Sequence, residues 1–247
     1  MGDKIRWYNS DRVIVETIIG KNGKERPVTV RDARSLGLFP SVTSILSQVA
    51  KPALTRYFIN RAIACAYNNK DLLNGSEKEA QWKVSKLAEE TGNGAAEFGT
   101  KIHDHIERFL KAKADESVEI KGDVRSFVEP VFEFFLKHNI QGKSEEAVII
   151  ETEGRKAAGT IDLQTTKTVT DFKTQKTKDG KFKKYDSWVW QLGGYNLHAK
   201  KDNAVIIAIS STEPGLIKTF KIDEASLREG ERVFKLLLEL FYITKGL

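Results

Sequence analysis

The hydrophobic period of this 247-residue chain changes once, between His138 and Ala147, and that change limits the folds open to it. Up to His138 the apolar residues recur three and four apart, the spacing of helices with one buried face. From Ala147 onward they come in short β-branched runs bounded by turn residues, the pattern of strands. Ser41 predicts the cap of a helix through Val42, Ile45 and Leu46, and Pro52 opens another that reaches about Tyr67. Ser76 to Thr91 forms a third helix, stopped at Gly92; Ala95 to Ala112 forms a fourth with Phe98, Ile102, Ile106 and Phe109 on one face. A fifth covers Val124 to His138. Strands follow at 147–151, 159–163 and 168–174, then a lysine-rich loop, a helix over 185–199, strands at 204–210 and 216–222, and a last helix from Glu224 to about Thr244. Near the start, Arg12 to Ile18 and Pro27 to Val30 flank Asn22-Gly23 and predict a small hairpin that decorates the main body. The expectation is one α/β domain over 1–247, with a hairpin extension (1–35), a mainly helical part (36–140) and an α/β core (141–247).

Composition narrows the functional class. With 40% hydrophobic and 30% charged residues the chain is an ordinary globular one. The single cysteine, Cys65, excludes an internal disulfide, a four-cysteine zinc site and an all-cysteine iron–sulfur cluster, so a reducing, cytoplasmic setting is expected. No run approaches the roughly 18 apolar residues of a membrane span. The opening residues lack the apolar core of a signal peptide, so neither membrane nor export is expected. A net charge of +6 is compatible with a polyanionic partner.

The chemistry concentrates in two predicted strands. Asp162 lies within Gly159–Leu163, and nine residues later Asp171, Phe172 and Lys173 follow in sequence. The strand period of two puts Asp171 and Lys173 on one face. A carboxylate inside a sheet is costly unless paired or bound to metal, so either an Asp–Lys ion pair on a half-exposed face or a functional site accounts for the pattern. Gln191 and Tyr195 stand at i and i+4 on the next helix, with Trp188 one turn before, and serve either as satisfied core residues or as part of the same site. His103 shares its helix with Ile102 and Ile106, where a lone histidine is more often a satisfied structural residue than a ligand.

Taken together, Gly99 to His103, Asp162, Asp171-Phe172-Lys173 and Gln191 to Tyr195 resemble the PD-(D/E)xK nuclease superfamily, in its RecB-like exonuclease branch. The segments Pro40–Leu46 and Lys51–Leu54 are similar to the N-terminal parts of phage-encoded exonucleases and of the mitochondrial genome maintenance exonuclease. The resemblance implies a restriction-endonuclease-like core: a central mixed sheet flanked by helices. It implies metal-dependent hydrolysis of DNA at ends or single strands, in replication, recombination or repair, with one or two Mg²⁺ or Mn²⁺ ions and no iron–sulfur cluster. Asp162 and Asp171 would bind the metal, with His103 and the backbone carbonyl of Phe172 completing the shell. Lys173 would orient the attacking water and stabilise developing charge, and Gln191 and Tyr195 would position Lys173 or a phosphate. Glu107, at i+4 from His103, is either its hydrogen-bond acceptor or a surface residue, and Glu151 either joins the metal shell or is solvated.

The loop after the second strand carries Lys176, Lys178, Lys181, Lys183 and Lys184. It reads as a nucleic-acid backbone contact or a solvated hairpin tip, and Trp188, Trp190 or Tyr185 beside it would stack on unpaired bases. Lys51, Arg56 and Arg61 would supply the opposite wall. A structure-specific endonuclease with the same site, or an inactive DNA-binding protein of the same fold, are the alternatives. No phosphate-binding loop for ATP occurs, so unwinding would require a recombination or replication partner protein.

Overall fold

The computed structural model describes residues 5–112, 118–120 and 122–247; Met1–Lys4, part of the segment read above for a signal peptide, lie outside them. Strand β1 (Trp7–Tyr8) pairs antiparallel with β2 (Ile14–Val15), and β3 (Thr17–Ile19) with β4 (Glu25–Pro27); the hairpin turns at Asn22-Gly23 as expected, but its return arm is 25–27 and not Pro27–Val30, and Ile14–Val15 of the expected first arm pair elsewhere. Helix α1 (Val30–Leu36), which the sequence did not suggest, is opened by a reciprocal capping box between Thr29 and Asp32 and closed by Gly37 at φ 63°. Next come β5 (Phe39–Pro40), α2 (Val42–Leu46) and α3 (Pro52–Asn68). Because β5 pairs with β1, the first residues do more than decorate: Trp7 and Tyr8 are buried.

Helix α4 (Glu77–Lys111) is one continuous helix where the sequence suggested two. Its start follows from the Ser76–Glu79 capping box. Each internal glycine costs a helix about 1 kcal/mol relative to Ala. Burying Ala88, Ile102 and Ile106 along the same rod outweighs that. Helix α5 (Arg125–Lys137) precedes β6 (Lys143–Thr152), β7 (Arg155–Gln164) and β8 (Thr168–Gln175). The chain ends with α6 (Asp186–Ala199), β9 (Asn203–Ser210), β10 (Ile217–Ile222) and α7 (Glu224–Lys245).

The last five strands form one mixed sheet in the order β10-β9-β8-β7-β6, in which only β8 and β9 run parallel. Alternation divides its side chains between two cores. Val169, Ala204 and Ile206 pack with Ile45 of α2, Leu192 of α6 and Phe234 of α7. On the opposite face, Phe172, Ile207 and Ile209 meet Ile102 of α4 and Phe135 of α5, giving a helix–sheet–helix sandwich. A Cβ on Gly193 would lie 2.3 Å from the Gly230 carbonyl carbon, so α6 and α7 cross too closely for any side chain there.

The sheet has one break. Strands β7 and β8 pair only at Leu163–Thr170 and Gln164–Val169. Ile161 belongs to the first core and Leu163 to the second, so the strand changes face at Asp162. Across from it, the β6–β7 register passes from Ser144–Leu163 to Glu146–Ile161 without pairing Glu145, whose φ of 50° is left-handed. Such a conformation costs a non-glycine residue about 1–3 kcal/mol and persists where surroundings enforce it. Among the described residues no helix is long and apolar enough to cross a membrane.

Candidate active site

The break in the sheet opens a cleft of about 510 Å³ between α4 and α6, and the sequence-predicted residues converge on it. His103 reaches in from α4, Asp162 from β7, Asp171 and Lys173 from β8, and Gln191 and Tyr195 from α6. Asp162 Oδ2 accepts a 2.6 Å hydrogen bond from the Phe172 N–H, which replaces the missing strand ladder and fixes the carboxylate. His103 Nδ1 is 4.0 Å from the same oxygen, and its ring stands edge-on to Phe172 at 6.2 Å.

A second group forms around Lys173. Its Nζ donates to Gln191 Oε1 at 3.1 Å and lies 2.5 Å from Asp171 Oδ2. Gln191 Nε2 donates to Asp171 Oδ1 at 3.0 Å and to the Tyr195 hydroxyl at 3.4 Å. The glutamine thus holds the lysine with one end of its amide and the aspartate with the other. Gly159 is required beneath them, since a Cβ there would sit 2.8 Å from the Tyr195 ring.

His103, Glu145 and Asp162 offer donor atoms within 4.8 Å of one another, and these residues could together hold a metal ion. Glu145 enters through the left-handed turn of β6 opposite Asp162. The sequence does not reveal it, because 144–146 is polar and shows no strand alternation before Ala147. Asp171 lies outside that group of three but is only 1% exposed, and its Oδ2 accepts no aligned hydrogen bond among the described residues despite the nearby ammonium. That oxygen is ion-paired with Lys173, and the imidazole and two carboxylates beside it make a donor set that fits a divalent cation.

Electrostatics point the same way. Five carboxylates line the cleft, those of Asp104, Glu107, Glu145, Asp162 and Asp171, against the permanent cations Arg6 and Lys173. Burial and the charge of Asp171 hold the Asp162 carboxyl well above the usual range. Burial lowers His103, opposed by Asp171. Burial, and then Glu107, push Glu145 up to about 7.

For Glu145 the raised value has a measurable sign. Between the ordinary carboxylate range and about 7 the folded protein keeps a proton that the unfolded chain has lost, so its stability contribution falls as pH rises through that window. Without added cation, Glu145→Gln should therefore melt higher than wild type at pH 8, and the difference should shrink at pH 5. Millimolar Mn²⁺ should raise the wild-type melting temperature more than the variant's. Identical pH dependence in both proteins would remove Glu145 from the buried group.

Several expectations change. Glu151 is exposed and pairs with Lys156 at 3.5 Å, at the far end of β6 from Glu145, so it is outside the group of three candidate donors. Glu107 lines the cleft, but its carboxylate is taken by Lys111 one turn on and is not a partner of His103. Phe172 donates its N–H to Asp162, and its backbone carbonyl, expected in the metal shell, accepts from the His103 ring. The lysine loop is pinned at both ends, by Thr177 bonding Ser210 and Glu213 and by Gln175 bonding both backbone groups of Lys183. Lys176, Lys178, Lys181 and Lys184 are exposed on it away from the cleft walls, whereas Lys183 turns over the Tyr185 ring at 5.3 Å. Trp188 packs edge-on against Tyr185 at 5.2 Å. Arg6 and Tyr8, in the cleft wall, were not foreseen, because their placement depends on β1 pairing with β5.

No protein-family model matches this chain, and neither does any curated protein. Among solved structures, one titled "Crystal structure of SSO0001" overlays with a TM-score of 0.34 and 15% identity, across 72% of this chain and 70% of that one. An overlay that loose transfers neither fold nor function.

Proposed function

We propose that this chain is a metal-dependent deoxyribonuclease of the PD-(D/E)xK superfamily, in its RecB-like branch, working as an exonuclease on DNA ends or single strands in replication, recombination or repair. One observation carries the reading: the Lys173–Asp171–Gln191 group and the His103, Glu145 and Asp162 donors share one cleft at a break in the sheet. An ion pair made only for stability would not need three further ionisable groups beside it, each part-buried at a cost.

His103, Glu145 and Asp162 would hold Mg²⁺ or Mn²⁺. Bound there, a divalent cation supplies charge neutralisation at a phosphodiester and a more acidic water. Lys173 presents its ammonium to the phosphate oxygens on which negative charge grows, and works best when it does not have to reorient during reaction. Asp171 and Gln191 provide that fixity, and Tyr195 backs the glutamine amide. Arg6 is placed to hold a neighbouring phosphate at the cleft rim.

The test is a gel assay of end-labelled linear single-stranded and double-stranded DNA beside a covalently closed circle, with Mg²⁺, Mn²⁺ or EDTA, for wild type and Asp171→Ala. Metal-dependent loss of linear DNA with the circle intact, absent in the variant, is the expected result. Cutting of the circle would make the protein an endonuclease. Binding without metal-dependent cutting would make it an inactive relative of the fold.

A further inference from the structure

The cleft does not end at the metal donors. Through Arg6 and Thr43 it continues into a second hollow of about 670 Å³ lined by Ser47, Lys51 and Leu54. Through Lys51 and Leu54 that hollow runs into a third, of about 690 Å³, walled by Tyr57, Tyr185, Trp188 and Trp190. The character of the groove inverts along its length. Five carboxylates crowd the first segment, whereas Asp186 is the single acid lining the other two, which carry Arg6, Lys51 and Lys183.

The far wall is unusual for a soluble surface. Tyr57 (46% exposed) and Tyr185 (39%) present rings to solvent from α3 and from the start of α6. Both are stiffened from behind. Arg61 donates to the Tyr57 hydroxyl at 2.7 Å and lies over that ring, while Trp188 and Lys183 brace Tyr185. Exposed aromatic rings held in place beside cations, and next to a run of hydroxyl and basic side chains, match the requirements of an unpaired nucleotide strand: charge for the backbone, ring faces for the bases. A paired duplex would keep its bases stacked inside and leave these rings unused.

We propose that the Tyr57–Tyr185–Trp188 wall is a base-stacking subsite that grips unpaired nucleotides several residues away from the scissile bond, so that the enzyme prefers strands long enough to span the groove. The inference rests on the nuclease reading above and deepens it by assigning a part of the substrate that the metal centre does not touch.

Both tyrosines are exposed, so Tyr57→Ala/Tyr185→Ala should fold as the parent does, which its melting temperature will verify. On a long single-stranded oligonucleotide the double variant, which loses two stacks, should show KM raised about thirtyfold or more, with kcat little changed. On an oligonucleotide too short to reach the wall, the two proteins should behave alike. The second arm uses oligonucleotides with an abasic tract several positions in from either end: phosphates are intact and bases are missing. Wild type should lose affinity for one of these substrates to the level of the double variant, and the double variant should not distinguish them from the normal strand.

Equal KM values for the variant and wild type, with no effect of the abasic tracts, would overturn the subsite while leaving the nuclease intact. A wild-type protein that neither cuts nor binds any nucleic acid would overturn the functional reading and the subsite with it. Light scattering completes the test, since a wild-type dimer that becomes monomeric in the double variant would assign this wall to a second copy of the chain instead.

Discussion

Replacing Lys173 by Ala is expected to slow DNA cleavage by about 10²- to 10⁴-fold while binding of DNA in Mg²⁺ persists. Among the described residues the ammonium is the one permanent cation seated within reach of both Asp171 and Gln191, and it is not among the candidate metal donors. Removing it has a second effect that must be separated from the first. Asp171 is almost wholly buried, and taking away the partner of a buried charge typically costs about 3–5 kcal/mol. Lys173→Ala should therefore also lower the urea midpoint. The double variant Lys173→Ala/Asp171→Asn, which removes both charges, should regain stability and stay inactive. Addition of a small alkylammonium ion should restore part of the single variant's rate by entering the vacated space. Wild-type turnover in a well-folded Lys173→Ala protein would sink the role assigned to this lysine. Recovery of activity in the double variant would show that stability alone had been lost.

What could be seen in the sequence was what depends on local spacing. Asp171 and Lys173 on one face, Gln191 and Tyr195 one helical turn apart, and the cap at Ser41 are all consequences of period and turn chemistry, and all appear in the structure. What could not be seen depends on partners far along the chain. Glu145 faces Asp162 because β6 and β7 pair in one register out of several, and the polar Ser144-Glu145-Glu146 gives no hydrophobic alternation to reveal it. Arg6 reaches the cleft because Trp7 pairs with Pro40, more than thirty residues on. The long α4 helix was divided at Gly92 for a third reason: glycine propensity is a local signal of about 1 kcal/mol, and it yields to the packing of a 35-residue rod against the sheet and α5. The site was therefore legible where one strand or helix supplies neighbouring groups, and hidden where the sheet brings separate strands together.

Asp162→Asn tests the cation side of the cleft as Lys173→Ala tests the other. Asparagine keeps the shape of aspartate and retains an oxygen that can accept the Phe172 N–H, so the junction between β7 and β8 should survive. What disappears is one negative charge and one anionic donor among three. A hard divalent cation gains most of its affinity from anionic oxygen ligands, and the remaining pair of His103 and Glu145 is a poor site for Mg²⁺. Cleavage in Mg²⁺ should fall by about a thousandfold or more, in keeping with the loss of the principal source of charge stabilisation. Mn²⁺, which accepts imidazole nitrogen more readily, should recover a small part of the activity through His103. The cation-free variant should also melt above wild type at neutral pH, because burial and the charge of Asp171 make an ionised Asp162 unfavourable until a cation joins it. Thermal melts with and without Mn²⁺, beside the same gel assay, separate the cases. A variant that melts higher, gains nothing from the cation and does not cut establishes Asp162 as a ligand, whereas one that still gains stability from Mn²⁺ to the wild-type extent moves the cation elsewhere in the cleft.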